Sequence, residues 1–320
     1  MSRNRFILVT TVLVSLVLIF FGFALGTEQA AGTAAQASAI PWWVWPLALF
    51  VVTFVLGILA VLGGVGGGVL FVPIIGGFFP FHIDFVRGAG LLVALAGALA
   101  AGPGLLKSGM ACLRLAIPVA LIASACAIVG AMIGLALPAN VINIALGGTI
   151  LGIVAIMLIA KKSEYPDVKK ADALSQALNI HGIYCEASTG KDIDWKIHRT
   201  PQALATFILI GVMAGMFGLG AGWANVPVLN LMMGAPLKVS VATSKFLLSV
   251  TDTSAAWIYV NNGAVLPMMV VPSIIGIMFG SIIGVKILAK TKPAAIRYMV
   301  IALLLFAGLR ALLKGLAIWK

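Results

Sequence analysis

Apolar residues in this chain come in long runs separated by short polar stretches. The runs are Phe6–Gly26, Val44–Leu62, Val69–Phe81, Gly88–Leu106, Ala111–Leu137 and Val141–Ala160, followed by Ala203–Phe217, Trp223–Met233, Val239–Val260, Val265–Ala289 and Ala294–Leu313. A helix needs about 20 apolar residues to cross a bilayer, so these runs predict a bundle of transmembrane helices. The run from Val69 is too short to span on its own. The first run follows Arg3 and Arg5 and predicts a retained N-terminal anchor. It exceeds the apolar core of about 7–15 residues of a signal peptide, and the small-residue motif Ala37-Ser38-Ala39 lies well beyond it. Thr27–Ala39, whose one charge is Glu28, reads as an outer loop, and Trp42, Trp43 and Trp45 mark a membrane interface.

One segment breaks the apolar pattern. Lys161–Arg199 holds seven of the 21 basic and six of the nine acidic residues. Val168, Ala171, Leu174 and Leu178 fall at helical spacing and predict a short amphipathic helix on the membrane surface. His181, Cys185, Asp192, Asp194 and His198 match no metal-ligand spacing, so the segment reads as a solvated loop. The expected organisation is an anchor and outer loop over 1–40, a membrane repeat over 41–160, a linker over 161–200 and a second repeat over 201–320.

Composition turns this pattern into a class. Apolar residues make up 62% of the 320 and charged residues 9%, against about 45–50% and 25% in soluble domains. That excludes a soluble enzyme, a secreted disulfide scaffold, a disordered chain and a nucleic-acid binder. The net charge of +12 sits beside apolar runs, where it orients helices. Cys112, Cys126 and Cys185 form no redox or metal pattern.

The two halves align without a gap at an offset of 154 residues. Gly57 maps to Gly211, Gly64, Gly66 and Gly68 to Gly218, Gly220 and Gly222, Pro73 to Pro227, and Pro118 to Pro272. Arg3 and Arg5 set the N-terminus inside. Lys107, Arg114 and Lys161-Lys162 then fall inside, and Asp84 and Arg87 outside. The first copy starts outside and the second inside, so the copies are expected to be inverted. Lys238, Lys290, Lys292 and Arg297 follow the rule, whereas Lys314 and Lys320 fall on the outer side against it. The expected fold is an all-α integral membrane protein of two inverted repeats with glycine-broken half-helices, plus the extra N-terminal helix.

Inverted repeats with interrupted helices place a substrate site at the repeat interface near the midplane. The interruptions here are Gly63–Gly68 and Gly218–Gly222, each followed by a short apolar run with an internal Pro. Free N–H groups at the start of a half-helix, together with its positive dipole end, favour an anion. The alternative is close packing of helices through small residues. The GxGGG string is no phosphate loop, because no Lys-Ser/Thr follows it and no strand precedes it.

Three strings, GGVGGGVLFVP from Gly63, GLGAGWANVP from Gly218, and ATSKF from Ala242 with Tyr259 and Asn262-Gly263 downstream, resemble the sulfite exporter TauE/SafE family, also called the toluene sulfonate uptake permease family. The resemblance covers about Trp42 to Leu313. It implies membrane transport of a small sulfur-containing or organic anion, such as sulfite, sulfoacetate or another sulfonate. Where the second copy has Thr243-Ser244-Lys245, the first has Ala89-Gly90-Leu91.

The run Val239–Val260 is the most polar, with Ser240, Thr243, Ser244, Lys245, Ser249, Thr251, Asp252, Thr253 and Ser254. Lys245, Ser249 and Asp252 share one helical face. A charge at that depth costs about 2.5–3.5 kcal/mol, so it needs a cavity or a partner. Lys245 is the expected anion contact and Asp252 a candidate proton carrier; a structural pairing of Asp252 with Lys245 or Arg310 is the alternative. The expected substrate site is Gly66, Gly67, Gly68, Gly220, Ala221, Gly222, Trp223, Asn225, Thr243, Ser244 and Lys245, with no catalytic set, metal or cofactor. Asn261 and Asn262 are expected to cap the outer loop. The leading function is a secondary transporter in the cytoplasmic (inner) membrane, with the N-terminus and the 161–200 loop inside. Its partners are a small anion and the lipid bilayer, with no nucleic acid; a homo-oligomer stays open. An anion channel and an intramembrane enzyme are the competing functions.

Overall fold

Helices begin and end in this protein where proline, glycine or charge interrupts an apolar run. The computed structural model describes residues 43–62, 66–107, 111–159, 166, 168, 170–186, 191–288 and 293–316. The expected N-terminal anchor, Trp42, Lys161-Lys162 and Lys290 lie outside the described residues. The helices are α1 (Val44–Leu62), α2 (Gly67–Phe78), α3 (Ile83–Lys107), α4 (Leu113–Ala136), α5 (Ala139–Ile159), α6 (Ala173–Ala177), α7 (Thr200–Phe217), α8 (Gly222–Pro227), α9 (Leu237–Asn261), α10 (Pro267–Leu288) and α11 (Pro293–Gly315). A π-turn, Val228–Met232, continues α8.

Among the described residues, six helices are long and apolar enough to cross a membrane: α1, α3, α4, α5, α7 and α10. At 25 residues, α9 is long enough but too polar to qualify. Large apolar side chains such as Leu121, Met132, Leu158, Leu209 and Phe279 point outward. In water such a surface would aggregate; in a bilayer it is the lipid-facing side.

The helix bounds in the two halves correspond at the same offset as the sequence. Ile83–Lys107 and Leu237–Asn261 match end to end, and α2 matches α8 with its π-turn. The packing is exchanged in the same way. Helix α1 lies along α10 and α7 along α4, while α5 pairs with α11 and α3 crosses α9. At the first two contacts, equivalent glycines let equivalent carbonyls approach: a Cβ on Gly57 would lie 2.6 Å from the Ile277 oxygen, and one on Gly211 2.5 Å from the Ala123 oxygen. Close backbone approach through small residues drives helix association in lipid.

The linker departs from expectation. Its helix α6 is only five residues long, and it is followed by an antiparallel hairpin of β1 (His181–Glu186) and β2 (Lys191–Lys196). The alternation of Ile193 and Trp195 with charged residues was the available signal for a strand. Nor is the segment a loosely solvated loop. Ile180, Trp195 and Ile197 are buried in one apolar cluster with residues of α4, α7 and α9. Thr200 donates to Asp172 at 2.9 Å, and the His198 N–H donates to the Met233 carbonyl at 3.0 Å, fastening the linker to the turn that precedes α9. His181 and Cys185 stand opposite Lys196 and Asp192 in the hairpin register.

Candidate functional site

Helix α7 ends at Gly218 with φ +67°, and the chain passes Leu219 to Gly220, also at φ +67°, before α8 starts at Gly222. Two left-handed positions two residues apart favour glycine, because a Cβ would clash there. In the first half Gly66 is extended (φ −67°, ψ 148°) and α2 starts at Gly67. Each new helix is short, with a proline inside it: Pro73 in α2 and Pro227 in α8. Proline removes one ladder hydrogen bond, and after Pro227 the ladder shifts to the wider π pattern, so helical backbone runs from Gly222 to Met232.

The two breaks touch. A Cβ on Gly222 would lie 2.7 Å from the Gly66 nitrogen, and one on Gly68 2.6 Å from the Leu219 oxygen. The starts of α2 and α8 therefore meet, with Leu248 of α9 against Gly66, Gly220 and Gly222. Gly67 faces Ile277 of α10 and Ala94 of α3. The helices are interrupted at these glycines, and the interruptions are closely packed, as the small-residue reading expects. Ala221, the residue before α8, is buried.

The hydroxyls of α9 contribute less than the sequence implied. Ser249 donates to the Phe246 carbonyl, Thr251 to Leu247, Thr253 to Ser249 and Ser254 to Val250, all within their own helix. Ser240 donates to the Pro236 and Ala235 carbonyls. Thr243 accepts a hydrogen bond from the Cys112 N–H, at 3.1 Å, and so ties α9 to the start of α4. Ser244 is buried.

The charges of α9 stand apart. Lys245 is 6% exposed and Asp252 1%. Neither carboxylate oxygen of Asp252 has a hydrogen-bond partner, and no ion pair joins the two residues. A Cβ on Gly220 would lie 2.7 Å from Asp252 Oδ2, so the carboxylate rests against the second break. On α8, both amide atoms of Asn225 and the Trp223 indole N–H are also buried without partners. Buried polar atoms are normally paired, and leaving one unpaired costs about 1–3 kcal/mol. Arg310 does not serve Asp252: its guanidinium lies 4.2 Å from the centre of the Phe78 ring, at the far end of α2. Lys314 donates to the Gly76 carbonyl at 3.1 Å in the same place. A cation there complements the negative end of α2, a structural reason for a lysine that breaks the charge rule.

Sequence reasoning missed one cluster. Arg87, placed by sequence near an outer loop, is completely buried in α3. Its Nη1 donates to the carbonyls of Gly134 (3.0 Å) and Met216 (2.9 Å), and its Nη2 pairs with Asp84. The guanidinium lies 5.7 Å from the Tyr259 ring, whose hydroxyl donates to Gly215 at 3.0 Å. Arg87 thus joins α3, α4, α7 and α9. The signal was Asp84 three residues before Arg87, the spacing of a helical ion pair. Asn262 donates to the Ile258 carbonyl at the end of α9, a capping role of the kind expected of it.

The sequence profile of the sulfite exporter TauE/SafE family matches residues 49–311, which include the two helix starts, Gly67 and Gly222, and the buried charges of α9. A protein of Methanocaldococcus jannaschii described as "Probable membrane transporter protein" is 28% identical over 292 residues, covering 83% of this chain and 94% of that one. The "Probable membrane transporter protein YunE" of Bacillus subtilis is 25% identical over 119 residues, covering 37% of this chain and 44% of YunE. No solved structure matches the chain significantly. A bundle of apolar helices with two apposed glycine breaks thus agrees with what the sequence comparison finds, and this multi-pass membrane protein belongs to the sulfite exporter TauE/SafE family of transporters.

Proposed function

We propose that the protein is a secondary transporter moving a small anion of the sulfite or organosulfonate class across the cytoplasmic membrane by alternating access. The observation that carries this reading is the meeting of the two breaks, with the Trp223 indole N–H and both amide atoms of Asn225 buried without protein partners on α8 and Lys245 buried on α9. In this reading the anion sits between the α2 and α8 starts and Lys245. Gly66–Gly68, Gly220–Gly222 and Ser244 supply the close walls, and Asp252 carries a proton with the cargo. Thr243 supports the site through Cys112. The two repeats, 41–160 and 201–320, are taken as inverted about an axis in the membrane plane, and the 161–200 linker and the N-terminus as cytoplasmic. The exchanged helix packing supports a two-fold relation between the halves.

Purified protein should gain thermal stability with sulfite, thiosulfate, sulfoacetate or taurine in preference to carboxylate controls, and proteoliposome uptake should saturate. Uptake that rises linearly with concentration would favour an anion channel. Conversion of the anion to a product in detergent would favour an enzyme. For topology, His82→Cys should label from outside and Ile183→Cys from inside, both native side chains being well exposed. Labelling of both from one side would refute inversion.

A further inference from the structure

Asp252 is buried against the second break and Lys245 is buried two turns away on the same helix, one negative and one positive, with no ion pair between them. The Asp252 carboxylate rests against Gly220, two residues before α8 begins. This carboxylate is therefore a negative charge at the place assigned above to the anion. We propose that Asp252 is a resident stand-in for the cargo: a singly charged anion enters the site only as Asp252 takes up one proton, so one monoanion and one proton move together. The proposal rests on the anion-site reading of the preceding section.

The argument is one of charge. With Asp252 ionised and no cargo, the side chains of the site sum to zero. With Asp252 protonated and a monoanion bound, they sum to zero again. A monoanion beside an ionised Asp252 would leave a net negative charge in a place closed to water, which costs several kcal/mol. The backbone field of the helix starts is the same in both neutral states, since it faces one negative charge in each. A dianion adds a charge that nothing nearby balances. Lys245, already counted in this balance, is the ionisable side chain that acts on Asp252. Helices α7 and α8 and the π-turn carry none. On α3, Asp84 and Arg87 are paired with each other. On α4, Arg114 is exposed at the start of the helix and reaches the Asn179 carbonyl, and Cys126 faces Gly211. On α9 itself, Lys238 is exposed and Tyr259 is bonded to α7.

The first copy supplies the control. Leu91 and Ala98 stand where Lys245 and Asp252 stand in the second, and both are buried. One exchangeable charge pair serves the whole site.

The test uses two probes whose own charges stay fixed between about pH 5.5 and about pH 8.5, a monoanion (methanesulfonate) and a dianion (sulfate), with calorimetry on detergent-purified full-length protein. Methanesulfonate affinity should fall about tenfold per pH unit once Asp252 is ionised, the slope of one linked proton. Sulfate should bind at least about tenfold more weakly than methanesulfonate where Asp252 is protonated. Asp252→Asn should bind methanesulfonate without pH dependence, at the affinity wild type reaches at low pH. Independently of that variant, adding methanesulfonate to wild type in weak buffer should take up one proton per anion bound. Methanesulfonate binding that is flat with pH, a slope that persists in Asp252→Asn, or tighter binding of sulfate would overturn the linkage while leaving the anion site standing. If neither probe binds wild type at any pH, or if Lys245→Met binds as well as wild type, the anion site itself falls and the linkage with it.

Discussion

Helices α3 and α9 occupy equivalent places in the two halves, have the same length and cross each other, yet they treat charge in opposite ways. Arg87 of α3 is fully buried and bonded to Gly134, Met216 and Asp84. On α9, Lys245 and Asp252 are also buried, and the Asp252 carboxylate has no hydrogen-bond or ion-pair partner. A buried charge held by several bonds is part of the frame, even with the Arg87 Nε left unpaired. A buried charge whose bonds are unmet keeps a cost that binding can remove. Side-chain room differs in the same sense. A Cβ on Gly90 of α3 would lie 2.5 Å from the Gly218 oxygen, and its counterpart on α9 is Ser244. Two copies of one unit have divided the work: α3 holds the bundle against the second break, and α9 supplies the reactive polarity.

The most demanding test of that contrast removes each charge in turn. Arg87→Met should cost about 3–5 kcal/mol of stability, the usual penalty for breaking a buried pair, and should leave Asp84 without its partner. Lys245→Met should leave thermal stability equal or higher while abolishing anion-dependent stabilisation and transport; Lys245→Arg should retain part of both. Thermal melts of the two methionine variants, run side by side, decide the point, and equal destabilisation would erase the distinction.

Moving the charge to the other helix is the next test. Leu91→Lys puts the lysine of α9 at the matching position of α3, where the native side chain is fully buried. The expected loss is about 2.5–3.5 kcal/mol, the insertion penalty for a centrally placed charge with nowhere to go. Wild-type yield and melting temperature for this variant would mean that the first copy keeps a cavity of its own.

Gly90→Ser copies the α9 residue into α3 and drives a side chain into Val72 and the Gly218 carbonyl. Overpacking of this kind costs about 1–3 kcal/mol, read as a lower melting temperature, and it should also weaken anion binding by shifting Gly218. Gly102→Ala is the quiet control. It matches Ala256 of α9, nothing lies within 4 Å of the added carbon, and the change should stay within about 0.5 kcal/mol. A large effect there would show that α3 tolerates no substitution at all and that Gly90 reports nothing particular.

By itself the sequence determined the medium, the helices and the repeat. Bilayer thickness sets the run length, and apolar runs of that length read directly as spans; the observed bounds of α1 and α9 lie within two residues of the predicted ones. The glycine breaks were legible because φ near +67° and backbone contact are properties that glycine alone carries easily. The short hairpin in the linker was not, since two six-residue strands give little periodicity to read. What tertiary structure alone decided is which polar groups have partners. Of the nine polar residues along the Val239–Val260 run, the sequence singled out the two charges but held nothing on which of the nine would find partners. Folding gives Ser240, Ser249, Thr251, Thr253 and Ser254 carbonyls of their own chain segment and Thr243 the Cys112 N–H. Ser244, Lys245 and Asp252 are left over, and of these the Asp252 carboxylate is buried with both oxygens unpartnered. Hydrogen bonding depends on distances between atoms far apart in the chain, such as Arg87 and Met216 at 2.9 Å across 129 positions. A residue's type states only what it could bond, and its fold decides whether it does.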